Sequence, residues 1–186
     1  MLEKLNEPIH FNENRYVLRI LQENDSTDNY LRWINDVMLM KYTESNLGQY
    51  TKVDVTSYIG KCLASSDIFL WGIFCDDGSH IGNIKLGPII AAERRSSLGL
   101  IIGDSRFRGK GVATGAIAAI VRYAESGLGL SKLTAGVLEP NVASLRAFQR
   151  NGFVVEGREH KYRRVENEWV DKVILGRSLG SFCWKC

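Results

Sequence analysis

Residues 106–116 combine basic side chains and glycines in a way that suits the binding of an anion. The segment reads Arg-Phe-Arg-Gly-Lys-Gly-Val-Ala-Thr-Gly-Ala, with cationic groups at positions 106, 108 and 110 and glycines at positions 109 and 111. Glycine lets a backbone curl until successive N–H groups face one anion, and the first turn of a helix adds unpaired N–H groups and partial positive charge. The spacing matches neither the Walker A motif nor the Rossmann glycine pattern. The segment therefore predicts a phosphate-binding loop of another kind.

The residues on either side of this loop favour a strand before it and a helix after it. Residues 98–103 form a short apolar segment with β-branched side chains, which is typical of a buried strand. Across residues 112–128, apolar side chains recur at three- and four-residue spacings and form one face of a helix. A strand, a glycine-rich turn and a helix N-terminus are the usual elements of a phosphate site.

A second informative segment covers residues 132–153. Residues 133–138 are typical of a strand, which Pro140 ends because proline lacks the backbone N–H. Asn141 is a favourable N-cap, and the helix after it directs Leu145 and Phe148 toward the core until Gly152 stops it. The side chain of Asn141 is therefore expected at a helix N-terminus that follows a strand directly.

Together, the two segments resemble the GNAT acyltransferases, which bind acetyl-CoA. Arg108, Gly111 and Ala113 fit the Arg-x-x-Gly-x-Ala form of the pyrophosphate loop of that family, and residues 141–153 fit its second conserved block. Gly-Phe-x-x-Glu-Gly at 152–157 and the later Trp-x-Asp are similar to one branch of the family. That branch contains the ribosomal-protein alanine N-acetyltransferases and related small-molecule and sugar N-acetyltransferases.

The whole chain is expected to form one α/β domain, residues 1–186, of which 16–177 match the family and 178–186 form a tail. The predicted order of elements is β-α-α-β-β-β-α-β-α-β-β. Its strands lie at 15–21, 68–75, 80–90, 98–103, 133–138, after Phe153 and at about 169–175, with a polar connection at 91–96 and a charged hairpin loop at 158–164. The resemblance implies a mixed, mostly antiparallel sheet of about seven strands flanked by helices. It also implies a splay between the fourth and fifth strands that admits the pantetheine arm.

The resemblance places the acetyl-CoA contacts on the end of the fourth strand, on the loop with the first helical turn, and on the second helix. The expected contacts are Leu100, Ile101, Ile102, Arg108, Gly109, Lys110, Gly111, Val112, Ala113, Thr114, Asn141, Ser144, Phe148 and Arg150. A backbone N–H near Ile101 or Ile102, where the family has a bulge, is expected to polarise the thioester carbonyl. Asn141 is expected both to cap its helix and to bind the pantetheine amide.

Two catalytic roles fall to Ser144 and Glu139. Phe148 stands where the family often has a tyrosine that protonates the leaving thiolate, and phenylalanine has no proton to give. Ser144 is the next candidate acid, although it is equally well explained as a helix-surface or CoA-binding residue. The acidic residue that this branch often has at the position of Ser97 is missing, so we rank Glu139, directly after a site strand, first as base. The remaining candidates are Glu156, Glu168, Asp171 and His160, or a chain of water molecules.

Composition excludes several other classes. A chain of 186 residues with 45% hydrophobic and 24% charged residues is ordinary for a globular domain, and a net charge of +3 without a basic run argues against nucleic acid. No apolar run suits a signal peptide or a membrane span, so a cytoplasmic protein is expected. Cys62 and Cys75 are predicted to be buried. We interpret Cys183 and Cys186 as an incidental tail rather than a zinc or redox pair, and no metal site is expected.

These observations favour transfer of an acetyl group from acetyl-CoA to a primary amine. We place a small-molecule acceptor first, with an amino sugar or nucleotide sugar as one candidate, ahead of the N-terminal amine of a protein. A catalytically weak CoA-binding module is a further alternative, because Phe148 and Ser97 depart from the catalytic pattern. The basic hairpin 158–164 is either a rim that attracts an acidic acceptor or a solvated turn. Trp33 and Tyr42 are expected over the acceptor side, and core packing is the favoured role of Trp33. The protein is expected to be a monomer or a homodimer.

Overall fold

A computed structural model describes residues 7–13, 15–43 and 48–180 of the chain. Cys183 and Cys186 therefore lie outside the described residues. Cys62 and Cys75 are buried free cysteines, as the sequence predicted, and burial raises the pKa of the Cys75 thiol to about 11. No helix in the described ranges is both long enough and apolar enough to cross a membrane.

The core of the fold is one open, mixed sheet of eight strands. Its strands are β1 (Ile9–Phe11), β2 (Tyr16–Ile20), β3 (Phe69–Cys75), β4 (His80–Leu86), β5 (Arg95–Ile102), β6 (Lys132–Leu138), β7 (Val154–Val165) and β8 (Glu168–Ser178). Their order across the sheet is β1-β2-β3-β4-β5-β6-β8-β7, and only the pair β5–β6 is parallel. The expected mixed, mostly antiparallel α/β sheet is confirmed. The strand that the sequence pattern missed is β1, because three residues are too few to show a period of two.

In the described part of the chain, five α-helices flank the sheet. They are α1 (Asp28–Asn35), α2 (Val37–Met40), α3 (Lys52–Ala64), α4 (Val112–Arg122) and α5 (Val142–Arg150), and α4 continues into a π-helical turn at Tyr123–Gly127. Thr51 caps α3, since its side chain accepts from the N–H of Asp54. Thr27 caps α1 in the same way, after a short 3₁₀ turn.

The helices cover the two faces of the sheet unequally. On β3, Trp71 and Ile73 belong to the core that α4 covers, whereas Leu70 and Phe74 belong to a second core beneath α1 and α3. Successive side chains of a strand point to opposite faces, so the alternation along β3 divides the two cores. Because α1 and α3 pack over β3 and β4, they leave the same face of β5 exposed, as at Gly99.

The sheet splays between β5 and β6, where the sequence placed the gap. These two strands pair only between residues 95–97 and 132–134, whereas β6 remains paired with β8 along its whole length. The strand β5 begins earlier than expected: Arg95 and Ser96 are strand residues and not part of a polar connection. Ser96 is buried despite its polarity because its hydroxyl donates to the Pro88 carbonyl at 3.1 Å.

The predicted hairpin loop at 158–164 is instead the second half of the long strand β7. The turn between β7 and β8 lies at Glu166 and Asn167, both of which have positive φ angles. A bulge between Glu159 and Arg163 absorbs the extra residues and places Lys161 at a φ of 49°. The ordered fold also extends past the predicted tail boundary at 178, since Leu179 is buried in the core.

Candidate active site

Two basic side chains of the loop that follows β5 bond within the loop and to the end of the strand. The Arg106 guanidinium donates to the Asp104 carboxylate, with Nη2 2.6 Å from Oδ2, and this hydrogen bond holds the pKa of Asp104 below its usual value. Arg108 donates from Nε to the Ile102 carbonyl at 3.1 Å and from Nη2 to the Gly103 carbonyl at 2.9 Å. Both arginines therefore shape the loop, and the expected contact of Arg108 with the cofactor stays a prediction.

The first turn of α4 presents an anion cradle. Gly109 and Gly111 have φ angles of 72° and 79°, a left-handed conformation that favours glycine, and the space beside both Cα atoms is open. Gly111 caps α4 without a side-chain hydrogen bond, and the first intrahelical bond runs from the Gly115 N–H to the Gly111 carbonyl at 2.9 Å. The N–H groups of residues 112–114 thus have no acceptor within the helix. These open donors fit a phosphate or diphosphate group.

Asn151 supports this cradle, and the sequence pattern did not identify it. Its side chain is buried, and Nδ2 donates to the carbonyls of Thr114 at 3.0 Å and Ala147 at 2.8 Å. The end of α5 is thereby held against the first turn of α4. Arg150 is the last residue of α5 and is exposed, and its contact with the cofactor stays a prediction.

The N-terminus of α5 has the predicted cap. Asn141 Oδ1 accepts from the Ser144 N–H at 3.2 Å, and this helix follows β6, the strand on the far side of the splay. Ser144 is half-buried, and its hydroxyl has no hydrogen-bond partner within the described part of the chain. The structure therefore presents Ser144 with a hydroxyl that is available to a ligand.

Phe148 occupies the core rather than an open cofactor surface. Its ring is 2% exposed and meets Phe153 edge to face, with ring centroids 5.0 Å apart. Burial toward the core was expected for this side chain, and its contact with the cofactor stays a prediction. The physical reason for the burial is the amphipathic pattern of α5, which turns Phe148 and Ala147 toward α4.

The end of β5 directs backbone groups into the splay. The pairing of β4 with β5 is unbroken from Leu86–Leu98 to Gly82–Ile102, so the bulge expected at Ile101 or Ile102 is not found in this ladder. The Ile101 carbonyl lies against Gly82 of β4, at the position that a Cβ would occupy. Because successive backbone groups of a strand point to opposite edges, those of Leu100 and Ile102 point toward the gap.

Four of the five candidate bases have a partner, whereas Glu168, the first residue of β8, is exposed. Glu139 follows β6 directly and is half-exposed, with its carboxylate bound to Arg158 of β7. Glu156 pairs with Lys132, and His160 Nδ1 lies 2.8 Å from Asp171 Oδ2. A hydrogen bond from the Lys161 N–H, together with His160, lowers the pKa of Asp171.

The family resemblance places the acceptor on the side of α1, which the tip of the β7–β8 hairpin also approaches. Trp33 of α1 is half-buried and lies directly against Gly103, where any Cβ would overlap the indole ring. The hairpin reaches the segment after α2, since Arg163 donates to the Thr43 carbonyl and Lys41 Nζ lies 2.9 Å from Glu166 Oε1. Trp33 packs against the second core, as expected, and its position over the acceptor stays a prediction.

The remaining candidates contribute less. Lys110 is exposed, with Nζ 5.7 Å from the centre of the Phe107 ring, and Tyr42 is half-buried beside Lys41. The Ser97 hydroxyl donates to the Gly87 carbonyl at 2.5 Å. Among the residues that the structure describes, no cluster of three or more His, Cys, Asp or Glu side chains is arranged to hold a metal ion.

Comparison with known proteins gives this geometry a family. Residues 15–154 match the family model of the acetyltransferase (GNAT) domain. The chain is 31% identical over 114 residues to the probable N-acetyltransferase YjcK of Bacillus subtilis, an alignment that covers 61% of this chain and 63% of YjcK. The chain therefore belongs to the GNAT acetyltransferase family, a class of acyltransferases that take their acetyl group from acetyl-CoA.

Solved structures share the fold at low sequence identity. The spermidine N-acetyltransferase of Vibrio cholerae, in complex with CoA and spermine, superposes with a TM-score of 0.82 at 20% identity, covering 90% of this chain and 96% of that one. The RimL ribosomal L7/L12 α-N-protein acetyltransferase, in complex with coenzyme A, gives a TM-score of 0.83 at 16% identity, covering 93% and 98%. One of these neighbours acts on a polyamine and the other on a protein, so the shared fold does not define the acceptor.

Proposed function

We propose that this protein is an acetyl-CoA-dependent N-acetyltransferase that acts on the primary amine of a small molecule. The observation that carries the proposal is the anion cradle at Gly109–Thr114 beside the splay between β5 and β6. A diphosphate fits the open N–H groups of the cradle, and an extended pantetheine arm fits a gap between two strands. Complexes of the similar Vibrio and RimL enzymes with CoA support the assignment.

The residues of the splay fit the chemistry of acetyl transfer. Bound acetyl-CoA supplies the activated thioester. A backbone N–H of Leu100 or Ile102 would donate to the thioester oxygen, where negative charge develops during attack by the amine. Ser144 would give the hydroxyl proton to the departing thiolate. Glu139 would accept the amine proton once Arg158 releases its carboxylate, directly or through water.

A small acceptor is favoured because the hairpin closes one side of the site. The contacts of Arg163 with Thr43 and of Lys41 with Glu166 join the hairpin tip to the segment after α2, which limits the length of a peptide groove. The cations of the rim at 158–164 are only partly paired with acidic side chains. The pairs there are Arg158–Glu139 and His160–Asp171, whereas Arg164 bonds to Asn167. The rim therefore retains positive charge, and both an amino sugar and a nucleotide sugar stand as candidate acceptors.

The test is release of free CoA thiol from acetyl-CoA in the presence of amino sugars, polyamines, amino acids and peptides with free N-termini. We expect turnover with one class of small primary amine and none with the peptides. Turnover with peptides alone would replace the small acceptor by a protein N-terminus. Tight CoA binding without transfer to any member of the panel would support the catalytically weak module.

Replacing Ser144 by alanine tests the proposed acid. We expect kcat to fall by about 10²-fold, because a general acid contributes roughly that much, while the Kd for CoA changes less than threefold or so. Ser144→Thr is the matched control, since threonine retains a hydroxyl at the same backbone position. Steady-state kinetics and calorimetric titration of CoA measure the two effects separately. An equal loss of turnover and CoA affinity would make Ser144 a binding residue only.

A further inference from the structure

A histidine that the sequence pattern did not identify as functional lies beside the acceptor side. His80, at the start of β4, stacks on Phe74 with ring centroids 4.7 Å apart. It also meets Trp33 at 5.1 Å and Tyr30 at 5.6 Å, both nearly perpendicular to its ring. Tyr30 and Trp33 both belong to α1, so one imidazole connects that helix to the sheet.

The hydrogen bonds of His80 define its protonation. Nε2 lies 3.0 Å from the Gly82 carbonyl oxygen and 2.8 Å from Oδ1 of Asn83. A carbonyl oxygen can only accept, so Nε2 carries the hydrogen, and Nδ1 of the neutral ring is an unprotonated acceptor. In the described ranges, Nδ1 of His80 is the one buried side-chain nitrogen or oxygen that lacks a hydrogen-bond partner. Buried polar atoms usually have partners, so this atom requires an explanation.

The position of His80 connects it to the candidate site through Trp33. The indole of Trp33 lies against Gly103, which follows the last residue of β5 and precedes the loop of the anion cradle. His80 and Gly103 therefore contact the same indole, and the ring cannot move toward β4 while the imidazole is stacked on Phe74. Since Trp33 is expected over the acceptor side, its orientation affects the space that an acceptor amine can use.

We propose that neutral His80 is a positioning residue that holds Trp33 against Gly103 and so shapes the acceptor side of the site. The inference rests on the proposed function, since it requires that the acceptor binds beside Trp33. This role explains why Nδ1 has no hydrogen-bond partner. Protonation of Nδ1 would add an N–H group that lies between aromatic rings and has no acceptor there. The protonated ring would lose its packing, and Trp33 would lose its support.

The charged and titratable groups around His80 support this dependence on protonation. Arg19 of β2 places its guanidinium carbon 4.0 Å from the centre of the Phe74 ring, on which His80 also stacks. Asp25 neutralises Arg19 through two hydrogen bonds of 2.7 Å and is therefore already engaged. Burial lowers the pKa of His80 and raises the pKa of the Tyr30 hydroxyl, so both groups are neutral near pH 7.

The sign of the pH effect follows from these contacts. The folded protein favours neutral His80, whereas the unfolded chain protonates it below its ordinary value of about 6.5. The contribution of neutral His80 to the free energy of unfolding is fully present above about pH 6.5. This contribution is lost as the pH falls from about 6.5 through the lower pKa of His80 in the folded state. Acceptor binding is therefore expected to weaken in acid by a route that involves no residue of the anion cradle.

The test compares wild type, His80→Gln and His80→Ala, with the acceptor found in the panel above, between about pH 5.5 and pH 8. For wild type, we expect the acceptor KM, corrected for ionisation of the amine, to rise once the pH falls below the lowered pKa of His80, by up to about tenfold per pH unit, while the KM for acetyl-CoA stays constant. Glutamine retains an N–H donor for Gly82 and Asn83 but does not titrate, so the rise should vanish. His80→Ala should raise the acceptor KM at every pH.

The controls separate this inference from the proposed function. The Kd for CoA reports whether each variant is folded, and His80→Gln alone decides the question if His80→Ala does not fold. An acceptor KM with the same pH dependence in wild type and His80→Gln would overturn the positioning role. Failure of the wild-type protein to acetylate any small amine would instead overturn the proposed function on which the inference rests.

Discussion

Replacing Gly111 by glutamate will abolish measurable CoA binding. The residue caps α4 at a φ of 79°, and the N–H groups of residues 112–114 are open to a ligand beside it. A carboxylate at this position would occupy those donors itself and repel a diphosphate. Charge-assisted hydrogen bonds contribute about 1.5–3 kcal/mol each, so loss of two of them weakens CoA binding by at least about a hundredfold. Calorimetric titration with CoA measures the loss.

The matched control is Gly111→Gln, which has the same bulk and the same backbone strain without the charge. A side chain in the left-handed region costs roughly 1–2 kcal/mol, so both variants should lose similar stability in urea. We expect the glutamine variant to retain more CoA affinity than the glutamate variant. Equal affinity in both would show that bulk and strain, and not charge, account for the effect. Wild-type affinity in Gly111→Glu would contradict the cradle assignment.

The parts of the site that the sequence could predict are those defined by local backbone chemistry. Gly111 at a positive φ and Asn141 as an N-cap each follow from the properties of one residue beside a periodic helix. The splay was inferred from the family resemblance, because the divergence of β5 and β6 depends on pairing between strands distant in sequence. Composition and spacing alone would not have indicated it.

The parts that the sequence could not predict depend on tertiary contacts. Asn151 resembles an ordinary C-cap before a glycine, and its bonds to α4 arise only when the two helices pack. No neighbouring residue in the sequence indicates a role for His80, because its ring contacts come from β3 and α1. The basic run in β7 was interpreted as a loop because charged residues favour turns, whereas β8 pairs with it along most of its length.

The arginines of the loop illustrate how a correct motif can be assigned a partly different role. Arg108 belongs to the motif that led to the family, yet its guanidinium donates to the carbonyls of Ile102 and Gly103. These bonds fix the end of β5 relative to the first turn of α4. Arg108 therefore sets the distance between the reacting strand and the phosphate cradle. The motif spacing alone indicated Arg108 only as a source of positive charge.

The other large effect is expected at Gly82, which lies opposite the reacting strand. A Cβ at this position would overlap the Ile101 carbonyl oxygen and would lie 3.2 Å from the Ile102 Cα, and neither backbone atom can rotate away. We therefore expect Gly82→Ala to displace the end of β5 from β4. Overpacking of this kind typically costs about 1–3 kcal/mol of unfolding free energy. Urea denaturation followed by circular dichroism measures it.

We also expect Gly82→Ala to reduce kcat strongly. The backbone groups of Leu100 and Ile102 that face the thioester belong to the displaced segment of β5. A misplacement of about 1 Å can reduce turnover by on the order of a hundredfold, so we expect that loss in kcat for the folded fraction. Gly99→Ala is the control, since it adds the same methyl group to β5, where no atom lies within 4 Å of the new Cβ. The control should unfold at nearly the wild-type urea concentration. Normal turnover in Gly82→Ala would mean that acetyl transfer does not depend on the backbone position of Ile101 and Ile102, and the reacting centre would then have to be sought on β6.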